Sequence, residues 1–180
     1  MPANIDLSAI TRQAEKMATR AKTAATMQSR LASFLQRRIP PEAKRDIGAQ
    51  YNLNASRIAQ GLSASNAPDG VELTASGAGI NLAEFNAKQN ATGLTAVVER
   101  NKPPRQIPHG FIATAPNGKR LAFIRDLVAG KRAGRLPMRG LFGASVAEML
   151  RNGDREERLG DFAQEAASNE VARLLELSNG

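Results

Sequence analysis

The feature that most limits the fold is an apolar seam at the start of the chain. From Asp6 to about Ile39, apolar or small residues recur at Leu7, Ile10, Ala14, Met17, Ala21 and Ala24. This alternation of three and four puts one stripe on an α-helix. The phase then slips, running Ala24, Met27, Leu31, Phe34, which would locally overwind coiled-coil packing. Asp6 is placed to cap the helix and Pro40-Pro41 to end it, because neither proline has a backbone N–H to donate. At about 1.5 Å per residue such a rod reaches roughly 50 Å, longer than one small core covers. Much of its seam is Ala, Met and Thr, which bury little, so the rod is expected to pack on other chains.

Pro41 opens a short helix to about Gln50, and Asn54 to about Gln60 forms a second one stopped by Gly61. Residues 61–70, GLSASNAPDG, carry loop chemistry. Strand patterns follow at Val71–Ala75, Leu94–Glu99, Phe111–Ala115 and Arg120–Arg125. The last two flank Pro116-Asn117-Gly118-Lys119, where Asn117 and Gly118 tolerate positive φ, so they predict a hairpin. An irregular turn is expected around Leu82–Phe85, and residues 100–110, RNKPPRQIPHG, are too proline-rich to pair and should wrap the sheet edge. Leu127 to Phe142 is a glycine- and arginine-rich loop. Ser145-Val146-Ala147-Glu148 is a capping box that starts a helix through Leu150. A final helix runs from Asp154 to about Leu177, with Leu159, Phe162, Ala166, Leu174 and Leu175 on roughly one face.

These elements predict an α+β fold, a small antiparallel sheet of three or four strands flanked by a long N-terminal helix and a C-terminal helix. The expected organisation is a helix over 1–40 and a single domain over 41–180. Within that domain lie short helices at 41–61, the sheet at 71–125, a basic loop at 126–142 and helices at 145–178. No secretion signal or membrane span is expected, since about 18 consecutive apolar residues occur nowhere.

Charge is distributed unevenly. The net charge is +8, but residues 99–140 carry ten positive and two negative side chains, whereas 141–180 carry four and eight. Lys131, Arg132, Arg135 and Arg139 share one local acid, Asp126. Three answers stand for that loop: phosphate backbones, a neighbouring subunit's acidic C-terminal helix, or solvent alone.

Reactive chemistry is scarce. With no cysteine there is no disulfide, no thiolate nucleophile and no thiolate metal site. His109, the sole histidine, sits between Pro108 and Gly110 and reads as a loop histidine. The acids of the last helix, Asp154, Glu156, Glu157 and Asp161, stand among arginines as an ordinary solvated face. Neither Gly77-Ala78-Gly79 nor the GKRAGR run has the context of a phosphate loop. No active site, metal or cofactor is expected.

One stretch carries a resemblance. Gly93-Leu-Thr-Ala-Val-Val-Glu-Arg, then Gly110-Phe-Ile-Ala-Thr, then Gly118 with Phe123-Ile-Arg125, is similar to the sheet region of the minor tail protein Z family of tailed phages. RLPMRGLFGASVAEML, residues 135–150, resembles that family's Arg-Leu-Pro segment followed by Gly-Pro-Ser-Val and a short helix, with Ala144 where the family has proline. The resemblance covers about residues 70–150. It implies a non-enzymatic tail-completion protein in the virion tail, assembled in the host cytoplasm. Such a protein forms a ring of copies around the DNA channel near the head-proximal end, touching other tail and neck proteins, with no membrane. The motif positions it marks are Phe111, Arg125, Arg135, Leu136, Pro137, Gly143 and Ser145, for folding and assembly.

Two other readings compete. A small DNA-binding protein would read bases with residues 41–61, using Asn54, Arg57 and Gln60, and clamp phosphates with the basic loop. A wall-cleaving hydrolase would need paired carboxylates, and nothing in the spacing of Glu72, Glu84 and Glu99 pairs them.

Overall fold

The structure, a computed structural model, describes residues 8–67, 70–125, 127–128, 131–132 and 138–179. The fold is α+β, with a long N-terminal helix and a C-terminal helix around several small antiparallel ladders.

Helix α1, Ser8–Gln50, runs through Pro40 and Pro41 without ending. The expected stop at Ile39 and separate helix at 41–50 are therefore corrected; the cap assigned to Asp6 lies outside the described residues. The reason is burial. Leu35, Ile39, Ala43 and Ile47 recur every four residues, all are buried, and Tyr51 continues the row just past the helix. That stripe straddles the prolines and holds the helix against their cost of about 3 kcal/mol in a helix interior.

Helix α2, Ala55–Gln60, begins at Asn54, whose side chain accepts from the Ser56 backbone N–H at 3.1 Å. It stops at Gly61, where a Cβ would lie 2.5 Å from the Val146 side chain. Strands β1, Leu62–Ala67, and β2, Gly70–Ala75, then pair from Leu62↔Ala75 to Ala67↔Gly70. A strand thus occupies the segment expected to be loop. Its alternation is real but built from small residues, with Leu62 and Ala64 turned inward between exposed serines.

Strand β3, Ile80–Asn81, leads into a 3-10 turn, Leu82–Phe85, where the sequence placed one. Asn81 is buried and satisfied. Its carbonyl accepts from Ala83 N–H (3.0 Å) and Ala122 N–H (2.7 Å), and its amide donates to Ala122 O (3.1 Å). Strands β4 (Lys88–Asn90), β5 (Gly93–Ala96) and β6 (Arg105–Pro108) form one three-stranded ladder in that order. The proline-rich link does pair, then, but only as an edge strand, where proline's missing donor is harmless.

Strands β7 (Gly110–Thr114) and β8 (Arg120–Arg125) form the expected hairpin. Gly118 takes positive φ (77°) in its turn, and Asn117 does not; its side chain instead accepts from Lys119 N–H at 3.1 Å. Strands β9 (Leu127–Val128) and β10 (Lys131–Arg132) pair with each other. Strand β11 (Met138–Gly140) returns to pair with β8, and β12 (Phe142–Gly143) pairs with β3. Helix α3, Val146–Arg151, follows.

Helix α4, Arg155–Asn179, folds back along α1. Arg155 and Arg158 reach Asp46 at 2.9 and 2.7 Å, whereas Leu174 and Leu177 lie beside Thr23, Met27 and Arg30. The two helices are thus antiparallel, and the chain itself covers much of a rod expected to lie against other chains. The buried cluster joins Ala43, Ile47, Tyr51 and Ile58 to Phe85, Leu94, Ala122 and Met149.

Arg155, only 2% exposed, closes the joint. It donates to Asp46, to Gln50 Oε1 at 2.6 Å, to Asn152 O at 3.1 Å and to Met149 O, and its guanidinium lies 5.9 Å from the Tyr51 ring centre. Removing one partner of a buried ionic network costs about 3–5 kcal/mol. Arg155→Met, which keeps apolar volume, is expected to lower unfolding free energy by about 3 kcal/mol in chemical denaturation.

Candidate assembly surface

The motif residues fall into two groups. The first lies on the outer face of the ladder β11-β8-β7. Phe111 and Phe123 pair across β7 and β8 with ring centres 5.9 Å apart, and the Arg125 guanidinium sits 5.0 Å from the Phe111 centre. Met138, exposed, stands opposite Arg125 in the register. Beyond it Phe142 is 64% exposed, and a Cβ on Gly140 would lie 2.7 Å from its ring, so the ring would have to turn aside.

The second group makes the turn into α3. A Cβ on Gly143 would lie 3.0 Å from the Phe85 ring and 3.1 Å from Leu82. Ser145 then caps α3 as its sequence predicts. Its backbone N–H and hydroxyl donate to Glu148 Oε2 (2.7 and 2.9 Å), and its hydroxyl accepts from Glu148 N–H (3.2 Å). Ala144, where the family pattern has proline, packs half-buried against the core.

The basic loop is partly placed. Lys131 and Arg132 stand in β10 opposite Val128 and Leu127, and Arg139 is exposed in β11 opposite Ile124. Arg135, Leu136 and Pro137 lie outside the described residues. On α4, Glu156, Glu157, Asp161 and Glu165 are exposed and form no ion pair among the described residues. Asp154 and Glu170, by contrast, are taken by Arg158 and Arg173.

His109 stands at the corner between β6 and β7. It is exposed and takes φ +61, a left-handed conformation uncommon outside glycine, and its N–H donates to Thr92 O at 3.3 Å. Beside it opens a cleft of about 570 Å³ that Arg125 and Phe111 also line. The Arg125 Nε is buried there with no hydrogen-bond acceptor among the described residues, a deficit of about 1–3 kcal/mol or more for a charged donor.

The residues of the rival readings are differently disposed. Asn54 is spent as a helix cap and α2 is only six residues long, following a helix of 43 rather than a short partner. Glu99 is held by Lys102 (2.7 Å) and Gln50 (3.2 Å), while Glu72 lies on β2 and Glu84 in the 3-10 turn. Among the described residues no cluster of three or more His, Asp or Glu could hold a metal, and no helix is long and apolar enough to cross a membrane. No family model, curated protein or solved structure matches the chain.

Four carboxyls are held below their ordinary values: Glu148 by the backbone and hydroxyl of Ser145, Glu99 chiefly by Lys102, Asp154 by Arg158 and Glu170 by Arg173. A depressed folded-state value adds stability above the unfolded carboxylate range that disappears as pH falls through it. The melting temperature is therefore expected to be level from about pH 7 to pH 5 and to fall below about pH 4. Glu148→Gln should flatten part of that acid limb in a series of thermal melts. Gly143→Ala, which forces Phe85 and Leu82 aside, is expected to cost about 1–3 kcal/mol in denaturant unfolding.

Proposed function

We propose that this chain is a non-enzymatic structural protein of a bacteriophage tail, similar to the minor tail protein Z family. It completes the head-proximal end of a long tail as a ring of copies around the DNA channel and joins the tube to the neck. The observation that carries this reading is the segregation of charge along the chain, with ten positive and two negative side chains over residues 99–140 against four and eight over 141–180. The first stretch holds the basic segment that runs from Lys131 in β10 to Arg139 in β11; the second holds Glu156, Glu157, Asp161 and Glu165, exposed on α4. A surface and its complement on different parts of one subunit support head-to-tail association, which closes into a ring when the rotation allows. The apolar outer face around Phe111, Phe123 and Met138 supplies area beside the basic segment.

Arginines 132, 135 and 139 meet either the acidic helix of the adjacent copy or channel DNA. Reversing all three to glutamate is expected to abolish ring formation in light scattering and electron microscopy, and to reduce phage infectivity. If acidic helices are the partner, lysines at 156, 157 and 161 restore assembly. Unchanged assembly and infectivity in the triple arginine variant would overturn the proposal.

A further inference from the structure

The cleft beside His109 carries an inference independent of the tail reading. It lies where the end of β8, the turn between β4 and β5, and the corner between β6 and β7 converge. Two glycines make its floor. A Cβ on Gly93 would strike Ile107 O, and one on Gly110 would lie 2.8 Å from the Leu94 side chain, so backbone approaches backbone too closely for any other residue. At about 570 Å³ the cleft falls within the size range of small-ligand sites.

Its polar groups are mostly donors. Arg125 is the one side chain of fixed charge in the lining, which includes no carboxylate among the described residues. The Phe111 ring holds its guanidinium in place, and its buried Nε–H has no acceptor among the described residues. Because Nε is sealed from solvent, a ligand in the cleft meets the guanidinium through its terminal N–H groups, which can grip two oxygens of an oxyanion. Gln89 spends its side-chain oxygen on the Ile112 N–H (2.9 Å), which leaves its NH2 group to donate. Asn90 is committed to the turn itself, its oxygen accepting from Thr92 N–H and Gly93 N–H at 3.1 and 2.9 Å. His109 adds an imidazole at a position whose φ of +61 glycine would adopt without strain.

We infer that this cleft binds a phosphate group, gripped by the Arg125 fork and further held by Gln89 and His109. Donors from three separate strands and corners suit a tetrahedral group with three free oxygens better than a planar carboxylate with two. The phosphate belongs either to a small ester or to a nucleic-acid backbone; the chemistry at Arg125 is the same.

The test is a titration of the full chain with inorganic phosphate, followed by proton–nitrogen NMR at the Arg125 Nε–H and the His109 ring. Both resonances are expected to shift saturably, with half-saturation on the order of 1 mM. Arg125→Gln should weaken binding at least about tenfold, the scale of one charged contact. Because that variant also unseats Phe111, His109→Gly provides a second arm. It relieves the backbone, so it should melt no lower than the parent while binding phosphate several-fold more weakly. A mononucleotide and a short duplex then identify the source, as whichever displaces phosphate at these two resonances at the lower concentration. Resonances that stay fixed at 20-fold the expected half-saturation, about 20 mM phosphate, would overturn the inference. So would a folded Arg125→Gln or His109→Gly protein that binds phosphate as tightly as the parent.

Discussion

The fold depends on how the buried Arg155 joins α1, α3 and α4 at one point. A buried guanidinium must have each of its donors answered. Here the answers come from Asp46 and Gln50 on α1 and from the carbonyls of Met149 and Asn152 at the end of α3. Satisfying one side chain therefore fixes where α1 stops, where α3 stops and the direction in which α4 sets out. Tyr51 lies under the same guanidinium, and its hydroxyl accepts from Asn152 Nδ2 at 2.7 Å. The sheet side is attached to the same point. Arg100 N–H donates to Gln50 O, Asn52 N–H to Val98 O, and the Arg100 side chain donates to the carbonyls of Gly48 and Tyr51. These bonds use the carbonyls that a helix end leaves open, and they place a positive charge where the helix dipole is negative.

How much of this was legible in the sequence follows from how local each determinant is. The β7–β8 hairpin, the 3-10 turn at Leu82–Phe85 and the capping box at Ser145 are each fixed by residues a few positions apart, and each lies where the sequence placed it. The α+β class followed from summing such elements. The stop assigned to Pro40-Pro41 failed because it weighed a local cost without the buried row Leu35, Ile39, Ala43, Ile47 on both sides of it. The β6 strand was missed for a related reason. Proline is excluded from the middle of a sheet but not from its edge, and nothing local told which place residues 105–108 would take. In β1 the signal was weak in itself, since alternating Ala and Ser hardly differ in hydrophobicity.

The candidate surface was legible in its parts but not in its grouping. Phe111 and Arg125, fourteen positions apart in sequence, become neighbours through the pairing Phe111↔Phe123 and the two-residue step from Phe123 to Arg125 on the same face. Gly143 and Ser145 serve instead the turn into α3, against the opposite side of the core. His109 stood out in the sequence only as the sole histidine, because its backbone angle and the neighbouring cleft are both products of tertiary structure. Charge segmentation along the chain was a better guide. It located an acidic α4 whose outward face keeps Glu156, Glu157, Asp161 and Glu165 clear of ion pairs among the described residues, even though Asp154 and Glu170 on the same helix are paired.

Charge alone would make the proposed ring fragile. An exposed ion pair contributes about 0–1 kcal/mol and weakens with salt, so three or four arginines per contact cannot by themselves hold copies together at low concentration. They can choose the partner and set its orientation, which is what electrostatic complementarity does best. Cohesion has to come from apolar area, which among the described residues is exposed at Phe142 and Met138 beside the basic segment and at Val171, Leu175 and Leu177 on α4. The first patch adjoins the basic segment, whereas the second lies about two to three turns beyond Glu165 on α4, beside the exposed Glu176. A subunit carrying both charges can meet its copy reciprocally across a two-fold axis or head to tail, and only the second arrangement leads to the proposed ring. The proposed assembly therefore requires, beyond the opposite charge of the basic segment and α4, a rotation between successive copies that closes, since the same contact without closure gives a filament.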